Sequence, residues 1–362
     1  MQLEQPSPGT LGYPMHRLAL TLALLATPAL AQIARAQNPG AEFGAMLANP
    51  AVTYGEQLEG FPYPFPVSHH RFTSQGQDLD MAFMDVAPTA APNGRTAVLL
   101  HGKNFCAATW EATIRTLAAA GYRVIAPDQV GFCASTKPAG YQYSFQQLAQ
   151  NTHGLLAALG IGTATVIGHS TGGMLAIRWA LTLPADIDRL VLVDPIGLED
   201  WKALGVPSIG VDGWYARELR VTADSIRTYE RATYYAGTWD PAYDRWVQML
   251  AGLNRGPSHE RVAWNSALLY DMIYTQPVFY EFERLTTPTL LMVGDKDTTA
   301  IGKDLAPPDR QAALGHYPAL ARAAAARIPR CTLVEWPDYG HAPQIQAPDA
   351  FHKALLEYLS AP

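Results

Sequence analysis

The run V-I-G-H-S-T-G-G-M, residues 166–174, sets Ser170 two residues after Gly168 and two before Gly172, directly behind a β-branched stretch. That spacing suits a tight strand-to-helix turn that lifts a serine hydroxyl above the end of a sheet. A hydroxyl so placed can attack a carbonyl. Acyl transfer then needs three more parts: a base, a group that orients the base, and donors for the oxyanion. Each has a candidate. Of the ten histidines, His341 sits in a glycine-flanked loop, G-H-A-P, beyond the last strand and ahead of the last helix. The run G-D-K-D offers two acids, Asp295 and Asp297, and Asp194 is a third. In His101-Gly102-Lys103 a glycine lets the backbone turn and aim an amide. Thr171, first in the helix after Ser170, carries an amide that no helical bond uses.

These loops need a frame, and the hydropathy pattern supplies it. Two strand-like stretches, 68–73 and 79–86, come first, the second alternating apolar and polar residues. The runs 96–100, 122–126, 163–168, 189–193, 288–293 and 332–336 follow, interleaved with helical stretches at 107–120, 144–159, 171–183, 309–327 and 349–359. A continuous apolar run such as T-A-V-L-L is what a strand buried on both faces requires. Strands alternating with helices imply right-handed crossovers, so the fold class is α/β, a mostly parallel sheet of about eight strands with helices on both faces. Every candidate loop follows one of these strands. Residues 196–282 interrupt the pattern; they are rich in aromatics, Trp201 and Trp214 among them, and hold no convincing strand. We read them as a mainly helical lid inserted into a core of 67–195 and 283–362, over the sheet edge where ligands bind in such folds.

The 362 residues allow one large core plus a smaller lobe. Only 16% of residues are charged, the net charge is −6 and no basic run occurs, so a nucleic-acid footprint is not expected. Met15-His16-Arg17 leads an apolar stretch too short to cross a bilayer, ending in Ala29-Leu30-Ala31. Residues 1–31 therefore read as a signal peptide, with Met15 as an alternative start, and the product as periplasmic or secreted. No cysteine follows the apolar run, so no lipoprotein membrane anchor is expected. Residues 32–66, ending in F-P-Y-P-F-P, read as a Pro/Gly-rich strap.

The segments L-L-H-G-K-N-F, A-P-D-Q-V-G-F-C-A-S, G-H-S-T-G-G, M-V-G-D-K-D and Y-G-H-A-P together resemble the lidded branch of the α/β-hydrolase superfamily, over about residues 68–359. The resemblance implies Ser170 as nucleophile, His341 as base and Asp297 as the acid, with Asp295 second, and the amides of Lys103 and Thr171 as oxyanion donors. It implies no metal or cofactor, and a small-molecule substrate in a pocket for which Asn104, Phe105, Phe132, Trp201 and Trp214 are candidates. Relatives that open epoxides or remove halides carry aspartate at the elbow, so serine points to carbonyl chemistry. A carboxylic ester cleaved through an acyl-enzyme is the leading reading. A lactone, an amide (as in an acyl-homoserine lactone acylase) or a carbon–carbon bond suits the same triad, and a non-catalytic ligand-binding receptor suits the same fold. Two features depart from the common pattern. Lys103-Asn104 follows H-G, its lysine expected to face solvent or else an anionic or polar substrate group. G-F-C-A-S replaces G-F-G-x-S. In this fold the loops of Cys106 and Cys133 leave one sheet edge side by side, which implies a disulfide between them, with Cys331 left as a buried free thiol.

Overall fold

In the computed structural model, which describes residues 52–361, strands β1 (Val67–Ser74) and β2 (Gln77–Val86) form a hairpin that opens the sheet. Its turn, Gln75-Gly76, has φ of 51° and 70°, the mirror-image conformation that matches strand twist. Six parallel strands continue it: β3 (Thr96–Leu100), β4 (Arg123–Pro127), β5 (Ala164–His169), β6 (Ile187–Val193), β7 (Thr289–Gly294) and β8 (Cys331–Trp336). Their order is β1-β2-β4-β3-β5-β6-β7-β8, with β2 antiparallel to β4. This is the eight-stranded α/β architecture the sequence implies. Val98, Leu99, Leu100, Val166, Ile167, Leu290 and Leu291 are fully buried, as strands covered on both faces demand.

The covering helices follow the pattern with one correction. Helices α1 (Glu111–Ala119), α2 (Phe145–Ala158) and α3 (Thr171–Thr182) stand where expected, and Ser144 caps α2 by accepting the Gln147 N–H at 3.0 Å. The stretch 309–327 is not one helix. A single turn, Pro308–Gln311, ends before Gly315, whose φ is 74° and whose added Cβ would lie 2.6 Å from the Thr298 carbonyl. The chain restarts as Tyr317–Arg327.

Between β6 and β7 the insertion carries four helices: α4 (Gly210–Glu218), α5 (Ala223–Tyr229), α6 (Asp244–Asn254) and α7 (His259–Thr275). A π turn, Glu230–Tyr234, continues α5. The described part of the strap binds both units. Tyr54 N–H donates to the Gly252 carbonyl in α6, while the Tyr63 hydroxyl donates to the Asp128 carboxylate in the core. Among the described residues no helix is long and apolar enough to cross a membrane. The proposed signal peptide, 1–31, and most of the strap lie outside the described residues. Helices α8 (Tyr317–Arg327) and α9 (Pro348–Ser360) complete the covering layers.

Candidate active site

Strand β5 runs into α3 with a single residue between them, Ser170, at φ 57° and ψ −119°. A side chain is rarely tolerated there. The glycines around it are the reason the turn closes. At Gly168 a Cβ would overlap the Gly172 carbonyl; at Gly172 it would overlap the carbonyls of Leu100 and His101; at Gly173 it would come within 2.6 Å of Pro195 Cβ. The ends of β3 and β5 and the segment after β6 are thus pressed together. Ser170 N–H donates to Val193 O at 3.0 Å, fixing the elbow to β6.

The loop after β3 lies directly on this elbow. A Cβ on Gly102 would stand 3.0 Å from Ser170 Cβ and 2.9 Å from His169 Nδ1. His101 sets the direction of the peptide that follows. Its Nε2 accepts the Gln129 N–H at 3.1 Å, so the proton is on Nδ1, which donates to Gly102 O at 2.9 Å. Phe105 N–H donates to the same oxygen at 3.1 Å. In a trans peptide the next N–H, that of Lys103, points opposite to the Gly102 carbonyl. Thr171 opens α3, and its amide has no intrahelical partner.

His341 follows β8 in a loop held by the insertion. Its N–H donates to Thr233 O at 3.2 Å and that of Ala342 to Tyr234 O at 3.3 Å. Its own carbonyl accepts from His169 Nε2 at 2.7 Å. Burial first, and then the neighbouring His341, push the pKa of His169 well below the usual histidine value, so His169 acts as a neutral strut. His341 Nδ1 pairs with Asp297 Oδ2 at 2.6 Å, and both side chains are completely buried. The other nitrogen, Nε2, is buried with no hydrogen-bond partner among the described residues. Asp295 does not reach the ring; Asp297 holds Nδ1. Asp194 is the close second carboxyl, with one atom within 4.8 Å of both Asp297 and His341. Burial and the Asp297 carboxylate push its pKa well above the usual range, against the Gly294 N–H that donates to its Oδ1 at 2.9 Å.

A cavity of about 810 Å³ adjoins this site, lined in part by Lys103, Asn104, Phe132, Trp214, Tyr229 and Tyr270. Ser170 and His341 are not among its walls. At that end Asn104 Nδ2 donates to Tyr234 Oη at 3.0 Å, and the Tyr234 ring sits 4.8 Å from that of His341. Two pocket candidates are misplaced. Phe105 is buried beneath the loop, its ring stacked 5.6 Å from His169, and Trp201 is buried in the segment after β6; neither lines the cavity. Lys103 does not face solvent. Its Nζ donates to Ser266 Oγ at 2.8 Å, lies 3.4 Å from Glu218 Oε2 and sits 3.7 Å over the Tyr270 ring, and burial lowers its pKa. Cys106 and Cys133 are joined by a disulfide with α-carbons 5.8 Å apart; Cys331 is half-buried at the start of β8 rather than fully buried. Sequence reading passed over His101, His169 and Tyr234 as positioning groups. The two histidines had a signal, since each directly precedes a residue already singled out.

The fold and the residues it converges define a hydrolase. The chain belongs to the alpha/beta hydrolase family, which matches over residues 97–354. It is 65% identical to a probable hydrolytic enzyme from Pseudomonas aeruginosa PAO1, superposing with a TM-score of 0.85 over 86% of this chain and all of that one. It is 26% identical to 2-hydroxy-6-oxo-6-phenylhexa-2,4-dienoate hydrolase of Burkholderia cepacia, over 75% of this chain and 89% of the relative. A shorter stretch, 31% of this chain and 39% of the relative, is 38% identical to the AB hydrolase superfamily protein YfhM of Bacillus subtilis (strain 168).

Proposed function

We propose that this chain is a serine hydrolase that cleaves carboxylic esters through an acyl-enzyme on Ser170. His341 carries the reading: an imidazole bound through Nδ1 to Asp297 at 2.6 Å, with Nε2 buried and unpartnered among the described residues, its ring 4.9 Å from that of His169, which directly precedes a serine held in a strained elbow. Nε2 takes the hydroxyl proton as Ser170 Oγ attacks the ester carbon. The carbonyl electrons move onto oxygen, which the N–H groups of Lys103 and Thr171 receive. As the tetrahedral adduct collapses, Nε2–H passes its proton to the departing alkoxide. Water then repeats the sequence on the acyl-enzyme, and Asp297 keeps the ring in the required tautomer throughout. In this reading residues 196–282 act as a lid whose cavity selects the substrate, and the protein is exported, on the strength of the apolar stretch ending at Ala31.

Carbon–carbon hydrolysis is the second reading, supported by the likeness to the Burkholderia dienoate hydrolase across three quarters of this chain. Three measurements separate the cases. A fluorophosphonate probe should label the wild type and not Ser170→Ala. Turnover of a p-nitrophenyl ester should fall by about 10⁴-fold or more in that variant while its melting curve is kept. Retention of a tenth of the activity would overturn the assignment of Ser170. Faster cleavage of a 6-oxo-6-phenylhexadienoate than of any ester in a panel of rising acyl length would favour the carbon–carbon reading.

A further inference from the structure

The walls of the cavity carry charges that serine chemistry does not need. Five are basic, Lys103, Lys137, Arg217, Arg220 and Lys303, and two acidic, Glu218 and Asp304. The acids are already engaged: Glu218 Oε2 lies 3.4 Å from Lys103 Nζ, and Asp304 Oδ2 2.6 Å from Arg217. Lys137, Arg220 and Lys303 therefore face no further carboxylate of the lining. Behind the lining, Asp128, Glu56 and Glu59 offset Lys137, and Glu199 shares the field of Lys303, so the basic excess of this cavity falls on Arg220 and Lys303, in a protein whose net charge is −6. A concave, low-dielectric wall of one sign focuses its field into the cavity, so this contrast is felt by a ligand before it binds.

The three cations differ in what they can offer. Lys137 Nζ is surrounded by the carbonyls of Glu56 and Cys133, each at 2.6 Å, and Ser135 at 3.3 Å, which occupy its three donors. With Asp128, Glu56 and Glu59 set against its charge, it contributes neither a contact nor a net field. Lys303 Nζ gives one bond, to Leu314 O at 2.8 Å, and keeps two donors. Arg220 is exposed and has its planar fork free of the lining acids. The Arg217–Asp304 ion pair brings the end of α4 against the turn that carries Lys303, and Arg220 follows Arg217 by three residues. The same lining also includes the apolar Trp214, Ile226, Leu250, Leu253 and Leu269.

We propose that the substrate carries an anionic group, a carboxylate at the far end of an apolar chain, received by Arg220 and Lys303 while its scissile carbonyl lies at the Lys103 amide. The inference rests on the serine-hydrolase reading for the bond cleaved, and on the cavity alone for the charge preferred. Two p-nitrophenyl esters test it, the adipic half-ester and the heptanoate, which share a chain and end in a carboxylate or an ethyl group. The half-ester should have a kcat/KM on the order of tenfold higher at low ionic strength, and the ratio should shrink with added salt. In Arg220→Gln and Lys303→Gln the ratio should fall severalfold toward one. A second arm uses Ser170→Ala, in which monomethyl adipate should bind more tightly than methyl heptanoate by calorimetry. Equal cleavage of both esters overturns the anion site and leaves the serine hydrolase standing. No cleavage of either, with preferential binding of the half-ester by Ser170→Ala, upholds the anion site and overturns ester hydrolysis. A wild-type ratio that neither basic variant changes also overturns the proposal.

Discussion

Two buried carboxyls, Asp297 and Asp194, share one pocket of protein with the His341 ring, and their surroundings differ. Asp297 binds Nδ1 at 2.6 Å and also receives the Thr299 N–H at 2.8 Å. Asp194 has one oxygen on the Gly294 N–H, and burial beside Asp297 keeps its proton on to higher pH than an ordinary aspartate. An asparagine at 297 removes the charge that fixes the imidazole tautomer. An asparagine at 194 replaces a carboxyl already held toward its neutral form, and it tolerates the positive φ of 38° found there. Asp297→Asn should therefore lower kcat by about 10⁴-fold. Asp194→Asn should cost less than about tenfold, and Asp295→Asn little. Steady-state kinetics of the three variants decides it; an Asp194→Asn loss as deep as that of Asp297→Asn would reverse the roles. The pairing of His341 with Asp297 rather than Asp295 followed from the family resemblance. The elbow at Ser170 and the loop of His341 were legible from motif spacing, because strand ends are where such folds expose chemistry. The direction of Lys103 was not, since Glu218, Ser266 and Tyr270, which turn its side chain inward, lie more than a hundred residues away in sequence.

The π turn Glu230–Tyr234 is the element that joins insertion to site, through the carbonyls of Thr233 and Tyr234 that hold the His341 loop. It begins at a liability. Glu230 is completely buried, both its oxygens lack hydrogen-bond partners among the described residues, and burial pushes its pKa up from 4.5 to about 8, opposed only in part by Arg227. Below pH 4.5 the carboxyl is protonated in folded and unfolded chains alike. Between 4.5 and about 8 the unfolded chain loses that proton and the folded one keeps it, so stability falls as pH rises, by on the order of 5 kcal/mol across the window. Glu230→Gln should melt near the wild type at pH 4.5 and progressively above it toward pH 8. A gap that does not change with pH would mean the carboxyl is ionised in the fold. All eight strands could be read from sequence, because strands buried on both faces must be apolar throughout and the hairpin must alternate. This turn could not. Its work is done by backbone carbonyls, which no residue type announces, and the aromatics around it have no period that separates packing from contact with the site. The break at Gly315 was hidden for the opposite reason: the alanine-rich residues beyond it are such good helix formers that the glycine reads as tolerated.

Across the whole molecule, the disulfide is where the chain leading into β1, the sheet and the loop of Lys103 meet. Cys106 lies three residues past Lys103, and Cys133 lies in the loop after β4, 27 residues further on. Cys133 has φ of 41°, a conformation that glycine adopts freely and other residues at a cost of about 1–2 kcal/mol. A bond to Cys106 gives a physical reason for a cysteine there, because closing a loop of this length stabilises the fold by roughly 3.5 kcal/mol in the chain-entropy model. The Cys133 carbonyl also accepts from Lys137, whose ammonium reaches back to Glu56 in the strap, and Tyr63 ties the strap to Asp128, whose other oxygen receives the Ala107 N–H beside Cys106. Loss of the bond should then loosen the chain leading into β1 and the Lys103 loop together. Thiol titration of the unreduced protein in denaturant should find one reactive group, Cys331; three would show that the bond is absent. Denaturant is needed because burial raises the Cys331 thiol to about 11, which suppresses its thiolate in the folded protein. The paired variant Cys106→Ala/Cys133→Ala should lose about 3 kcal/mol in chemical unfolding, and its kcat/KM should fall at temperatures where it remains fully folded. Unchanged kcat/KM in a folded, bond-free variant would confine the disulfide to stability and free the Lys103 loop from it.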